Sequence, residues 1–399
     1  MDVYVIGAGI SKSAGYPLGL ELFDEVDNFV RAHAPSFNRF QYKTDWNNLC
    51  SWLESNPNPL IAEAYRIRHM EYLFSILDIA PMMTADNLSS VFAASKKDAA
   101  SVEEAQRTYQ HYEDKTGEYS RYRRILLWAL EAYLGYKHDQ DAKKGKVPEA
   151  LITFSRKVRA GDVVITFNYD STLERTFLIE KKWSVHDGYG FEIVLRGPRS
   201  ERLEVPNSPV VILHLHGATG WYRKPSFIPE HQPGSGAVSR EAFGPAPLET
   251  KIALDPTFLL RLGVKGRDAS LPLTPPADRQ VFLHPSFFKD YEMEDSDNTV
   301  FIQLWRKAAD VLRKADQIFI MGYSLPQADS AALTLLLTNC KREKVRIINS
   351  SVQHSRRLRR LLSKESFLAP AMSFDSWLEK TPDVRHTRRR KKQGTKSRV

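Results

Sequence analysis

The chain has 399 residues, enough for two structural units or one large fold with an insertion, and its 42% apolar and 26% charged content excludes disordered and fibrous classes. Two cysteines, Cys50 and Cys340, exclude a disulfide framework and a cysteine-built zinc site, and no apolar run reaches the ~18–20 residues that cross a bilayer. Of the formal charge of +9, residues 385–398 supply eight Lys or Arg and no acid, so the body is nearly neutral and residues 381–399 read as a basic, disordered tail, open to contact with nucleic acid. The amino terminus carries no basic segment and no small-residue cleavage site, which with the cysteine usage predicts a cytoplasmic, non-membrane protein.

The first element is the β-branched run Val3 to Ile6. It leads into Gly7-Ala8-Gly9, and Leu18 to Val30 then places Leu22, Val26 and Val30 at helical spacing: strand, glycine turn, helix. From about 38 to 150 the texture turns helical, with Trp46, Leu49, Trp52 and Leu53 at helical spacing, then Ile61 to Ile79 and Tyr119 to Tyr136, and polar connectors between; the charged connector around Ser95 to Gly117 reads equally as helix or as mobile loop. This segment is expected to be an all-helical insertion domain. A helix near Pro148 buries Leu151, Phe154 and Val158 and stops before Gly161; strands follow at Val163 to Phe167 and Val210 to Leu215. The stretch from 218 to 300 is rich in Pro, Gly and Ser and shows little period. The last third alternates: helix Phe301 to Lys314, strand Gln317 to Met321, helix Ala328 to Asn339, strand Lys344 to Asn349, helix Val352 to Leu362. Such alternation predicts an α/β fold, a Rossmann-like parallel sheet with helices on both faces, built from residues 1–37 and 151–380.

The glycine turn would let backbone approach a phosphate, with the next helix offering free N–H groups and its positive dipole end. Alone it is equally a turn without a ligand, because a third glycine at the usual spacing and an acidic ribose-binding residue ~20 positions on are both missing. Its company carries more. Polar or glycine-bearing segments follow the later strands too: Asn168 to Asp170, His216-Gly217, Gly322 to Ser324 and Asn349-Ser350. In a parallel sheet they all emerge at the carboxyl edge, where open α/β folds bind ligands. Taken singly, Asn168 would start a turn and Asp170 would cap a helix over Ser171 to Leu178. His214 and His216, two apart in a strand, would face the same side, and the glycine that follows His216 selects it. His186 and His284 have no such context, and Leu304, Trp305 and Val311 read as core positions of a helix.

Gly7-Ala8-Gly9-Ile10-Ser11, Thr166-Phe167-Asn168-Tyr169-Asp170 with Leu173-Glu174, Leu215-His216-Gly217, and Gly322-Tyr323-Ser324-Leu325-Pro326 with Asp329 together resemble the sirtuin superfamily. The resemblance is closer to its sirtuin-like branch in prokaryotic anti-phage defence systems. Pro285 to Lys289 looks like a further element of that branch. The resemblance implies NAD as the bound substrate. Gly7, Ala8, Gly9 and Ser11 would cradle the pyrophosphate; Gly322, Tyr323 and Ser324 would lie under phosphates and ribose; Asn349 would bond the adenosine ribose. Asn168 and Asp170 would flank the nicotinamide ribose, with His216 as the catalytic histidine. These residue types suit the chemistry. Nicotinamide leaves as a neutral base, so the transition state is oxocarbenium-like and needs an oriented ribose, and a histidine can take a proton from a ribose hydroxyl or from water.

Two departures matter. Deacylating sirtuins carry a four-cysteine zinc ribbon, which this chain cannot build, and Lys12-Ser13-Ala14-Gly15-Tyr16-Pro17 lacks the Asp-Phe-Arg that follows the proline in deacylases. Both favour water over an acyl-lysine peptide as acceptor and lead to an NAD glycohydrolase that makes nicotinamide and ADP-ribose without zinc. The resemblance implies a defence effector held in check by assembly, as a homo-oligomer or with a partner such as a HerA-type ATPase or a short Argonaute-like protein. The competing readings are an NAD-dependent protein deacylase or ADP-ribosyltransferase, and a non-catalytic subunit that senses NAD or ADP-ribose.

Overall fold

The computed structural model describes residues 1–33, 41–57, 59–83, 118–119, 121–137, 140, 147–185, 187–191, 194–195, 208–223, 252–254, 280–282, 298–326 and 329–381. The basic tail from 382, Pro285 to Lys289, His186, His284 and most of 218–300 lie outside them. In chain order the strands are β1 (Asp2–Ile6), β2 (Val163–Thr166), β3 (Val194–Leu195), β4 (Val211–His214), β5 (Gly217–Arg223), β6 (Ile252–Leu254), β7 (Gln280–Phe282), β8 (Gln317–Met321) and β9 (Val345–Ile348).

β1, β2, β4, β8 and β9 form a parallel sheet in the order β4-β2-β1-β8-β9, with Val3 opposite both Val163 and Ile318. Every residue of β2 and all of β1 except Asp2 are buried, as expected of strands covered on both faces. Within this sheet the strands run 3-2-1-4-5 in chain order, the Rossmann arrangement. The right-handed rule for parallel crossovers predicts Glu149–Lys157 and Thr172–Ile179, which serve the steps from β1 to β2 to β4, on one face. It predicts Asn298–Lys314 and Ser330–Asn339, which serve the steps through β8 to β9 in the opposite direction, on the other. The packing agrees: Tyr4 meets Phe154 of the first helix edge-on at 5.4 Å between ring centroids, and Phe154 meets Phe177 of the second at 6.0 Å. A helix not anticipated from the sequence, Phe374–Lys380, joins that face through Trp377, whose ring lies 6.4 Å from Tyr4.

The described part of residues 38–150 contains helices Gln41–Ser55, Pro59–Arg66, Met70–Met83 and 121–137. Their Trp46, Leu49, Leu53, Phe74, Leu126 and Leu130 form an apolar cluster separate from the one beneath the sheet, and Phe23, Val26, Phe29 and Val30 of the helix Leu22–His33 belong to it. Where the sequence predicted one helix from Ile61 to Ile79, the chain breaks. Arg68 takes a left-handed φ of +54°, and its guanidinium donates to Asp24 and Asp27 at 2.6 Å each, fastening the break to the Leu22–His33 helix.

A second sheet, β3-β6-β5-β7, was not foreseen. Two- and three-residue strands such as β3 and β6 are too short to show a period of two. No helix among the described residues is long and apolar enough to cross a membrane.

Candidate active site

β1 and β8 are neighbours, yet the chain leaves them toward opposite ends of the sheet. Such a reversal opens a crevice beyond the strand ends. At its floor the two glycine loops touch. Gly7 N donates to Met321 O at 3.0 Å and Gly9 N to Gly322 O at 2.9 Å. A Cβ on Gly7 would lie 2.5 Å from Tyr323 Cα, and one on Gly9 would lie 2.8 Å from Gly322 O. Gly322 has φ +59°, with room for a Cβ only 2.8 Å from Ile10 N. These glycines therefore serve chain-on-chain contact, whatever binds above them.

Above the floor lies a cavity of about 650 Å³, within the usual range for small-molecule sites. Ala8, Gly9 and Ser11 line it from the first loop, and Gly322, Tyr323 and Ser324 from the loop after β8. Asn168, Asp170, His216 and Asn349 complete the set singled out from the sequence; Gly7 supports the turn from behind.

Three of these side chains form one hydrogen-bonded chain. Asn168 Nδ2 donates to Ser11 Oγ at 2.9 Å, and Ser11 Oγ donates to Asp170 Oδ2 at 2.8 Å. The other carboxylate oxygen, Oδ1, accepts from Thr172 N at 3.1 Å. One Asp170 oxygen thus holds the start of the helix Thr172–Ile179, although Ser171 and not Asp170 is its N-cap residue, and the other fixes the serine that orients Asn168. Burial pushes its carboxyl above the ordinary carboxylate range, while the bonds from Thr172 and Ser11 oppose that shift. The bond from Nδ2 to Ser11 Oγ fixes the orientation of the Asn168 amide at the cavity wall.

The two histidines part company because β4 ends at His214 and a turn carries Leu215 and His216 away. Trp305 Nε1 fastens that turn by donating to Leu215 O at 3.0 Å. His214 is fully enclosed: Nδ1 is 3.0 Å from Asn168 O, and Nε2 is 2.7 Å from Glu174 Oε1, which also accepts from Tyr189 OH at 3.0 Å. Burial alone would lower the His214 pKa, but the facing Glu174 carboxylate outweighs it and the net shift is upward. His216 instead lines the cavity, its Nε2 3.4 Å from Asp329 Oδ2, and that oxygen accepts from Tyr323 OH at 2.5 Å. Tyr323 is itself held by a parallel stack on Phe167, with centroids 4.6 Å apart.

In the sequence Asp329 stands only as the last residue of the motif that begins at Gly322. It precedes the helix Ser330–Asn339 as its N-cap residue, yet its side chain makes no capping bond and turns to Tyr323 and His216. An acid at a helix start that declines its capping role is legible only in three dimensions. Asn349 donates Nδ2 to Tyr323 O at 3.1 Å and accepts from Ser351 N at 2.9 Å, so its amide ties the loops after β8 and β9 together. The outer wall, not marked by any motif in the sequence, comes from residues 16–20, Leu22, His69, Glu71, Leu130 and Leu134. No family model matches the chain, and no curated protein matches it.

Proposed function

We propose that the protein is an NAD glycohydrolase that cleaves the bond between nicotinamide and ribose, releasing nicotinamide and ADP-ribose. One observation carries the reading. The Asn168–Ser11–Asp170 chain and the His216–Asp329–Tyr323 set meet in one cavity at the switch point of a Rossmann-ordered sheet. The resemblance of these same loops to the sirtuin-like defence branch supports it. A dinucleotide would lie across the loops after β1 and β8, with its adenosine toward Asn349 and its nicotinamide ribose toward Asn168.

Asn168 holds the ribose hydroxyls and adds no charge, which suits an oxocarbenium-like transition state. His216, steadied through Asp329, takes the proton from the attacking water or from a ribose hydroxyl, a role worth about 10²–10⁴-fold in rate. From the segment 38–150, the described residues His69, Glu71, Leu130 and Leu134 supply part of the cavity wall. In the cell, a cytoplasmic enzyme of this kind depletes NAD on release by a homo-oligomeric state or by a partner such as a HerA-type ATPase or a short Argonaute-like protein.

The test is nicotinamide release from NAD by the purified chain, with and without an acetylated peptide. His216→Ala and Asn168→Ala are expected to lower kcat about 10²-fold or more while thermal melts stay close to wild type. Release that needs the peptide would replace hydrolysis by deacylation, and undiminished release by His216→Ala would overturn the assignment.

A further inference from the structure

At the end of the cavity under β9 the chemistry changes. Ile348 and Phe374 supply an apolar surface there, and Ser350, Ser351, His354 and Arg357 supply polar and cationic groups. The helix carrying the last two, Val352–Leu362, has four arginines and no acid. They are differently employed. Arg359 is buried and anchored by Glu365 and by the carbonyls of Ala369 and Pro370, while Arg356 and Arg360 are exposed. Arg357 is half-buried against the cavity, and among the described residues no acidic side chain pairs with it. The helix end itself is not what the wall offers: Ser351 N is bonded to Asn349 Oδ1 and His354 N to Ser351 Oγ. What remains is a guanidinium lining the same cavity as the side chains of Ser350 and Ser351.

Dinucleotide sites discriminate at the adenosine ribose. A carboxylate there bonds the free 2′-hydroxyl of NAD, whereas an arginine accommodates a 2′-phosphate. Among the described residues this wall has the arginine and no carboxylate, and its planar fork suits a phosphate. We propose that Arg357, with Ser350 and Ser351, forms a 2′-phosphate subsite, so that the enzyme prefers NADP to NAD. The inference rests on reading the cavity as a dinucleotide site, and its test uses binding so that the two stand or fall separately.

Calorimetric titration of the full chain with adenosine 2′,5′-bisphosphate and with 5′-AMP, at about 150 mM salt to suppress long-range charge effects, compares the subsite directly. The bisphosphate is expected to bind about 10- to 100-fold more tightly. Arg357→Ala removes that advantage, while Arg356→Ala, which alters an exposed arginine outside the cavity, keeps it. Equal affinities, an advantage that survives Arg357→Ala, an advantage lost equally in Arg356→Ala, or binding of neither nucleotide would each overturn the subsite. Nicotinamide release by the same preparations reports on hydrolysis independently: NAD cleavage without a bisphosphate advantage leaves the glycohydrolase reading standing and removes only the NADP preference.

Discussion

Replacing Glu174 tests whether the buried pair behind the site behaves as its geometry implies. Glu174 and His214 are both fully enclosed, and Glu174 Oε1 serves two partners, Tyr189 OH at 3.0 Å and His214 Nε2 at 2.7 Å. Glu174→Ala strips both and leaves His214 without its counter-charge, which for a buried pair costs about 3–5 kcal/mol. Glu174→Gln keeps an acceptor for Tyr189 and the same shape, so its cost is about 1–2 kcal/mol. The pH dependence gives the sharper signature. The folded-state pKa of His214 is raised above 6.5, so the stabilisation from its protonation is fully present below about pH 6.5 and is lost as pH rises through the folded value. Urea unfolding at several pH values between 6 and 9 should therefore show the gap between wild type and Glu174→Gln narrowing upward in pH. A gap that widens with pH, or equal losses for Ala and Gln throughout, would refute the reading that Glu174 raises the His214 pKa.

Two further perturbations probe the site's support. Ser11→Ala breaks the link between Asn168 and Asp170; with both partners buried, stability should fall by about 1–3 kcal/mol and the kcat for nicotinamide release about tenfold, measured by denaturant titration alongside kinetics. Gly322→Ala forces a Cβ at a positive φ against the glycine turn and should lose about 1–3 kcal/mol. Gly19→Ala, where an added Cβ meets nothing within 4 Å, should stay within about 0.5 kcal/mol of wild type in the same thermal melts.

Much of the central sheet was legible because its strands are compact β-branched runs set between turn residues; Val163–Thr166 and Gln317–Met321 emerge almost as the residues predict. The lateral order of the strands is not written in periodicity, and it is that order which creates the crevice. The convergence of Ser11, Asn168, His216 and Tyr323 on one edge followed from parallel topology alone. The rest depends on contacts no spacing records. Arg68 ends a helix through two aspartates more than 40 positions away in sequence. His214 and His216 separate because a strand stops between them. Asp329 gives up a helix cap for a tyrosine hydroxyl. The helix Phe374–Lys380 has seven residues, too few for an apolar period to show.

The described residues form two apolar cores, and Ala14 packs against both, one turn beyond the glycine loop. Tyr169, next to Asn168, rests on the helical core while its ring lies 6.1 Å from that of His216. The cavity runs along this seam: Ile10, Phe167 and Tyr323 line it from the sheet core, and Tyr16, Leu130 and Leu134 from the helical core. Its walls are therefore supplied by both cores, and repacking either one reaches the site.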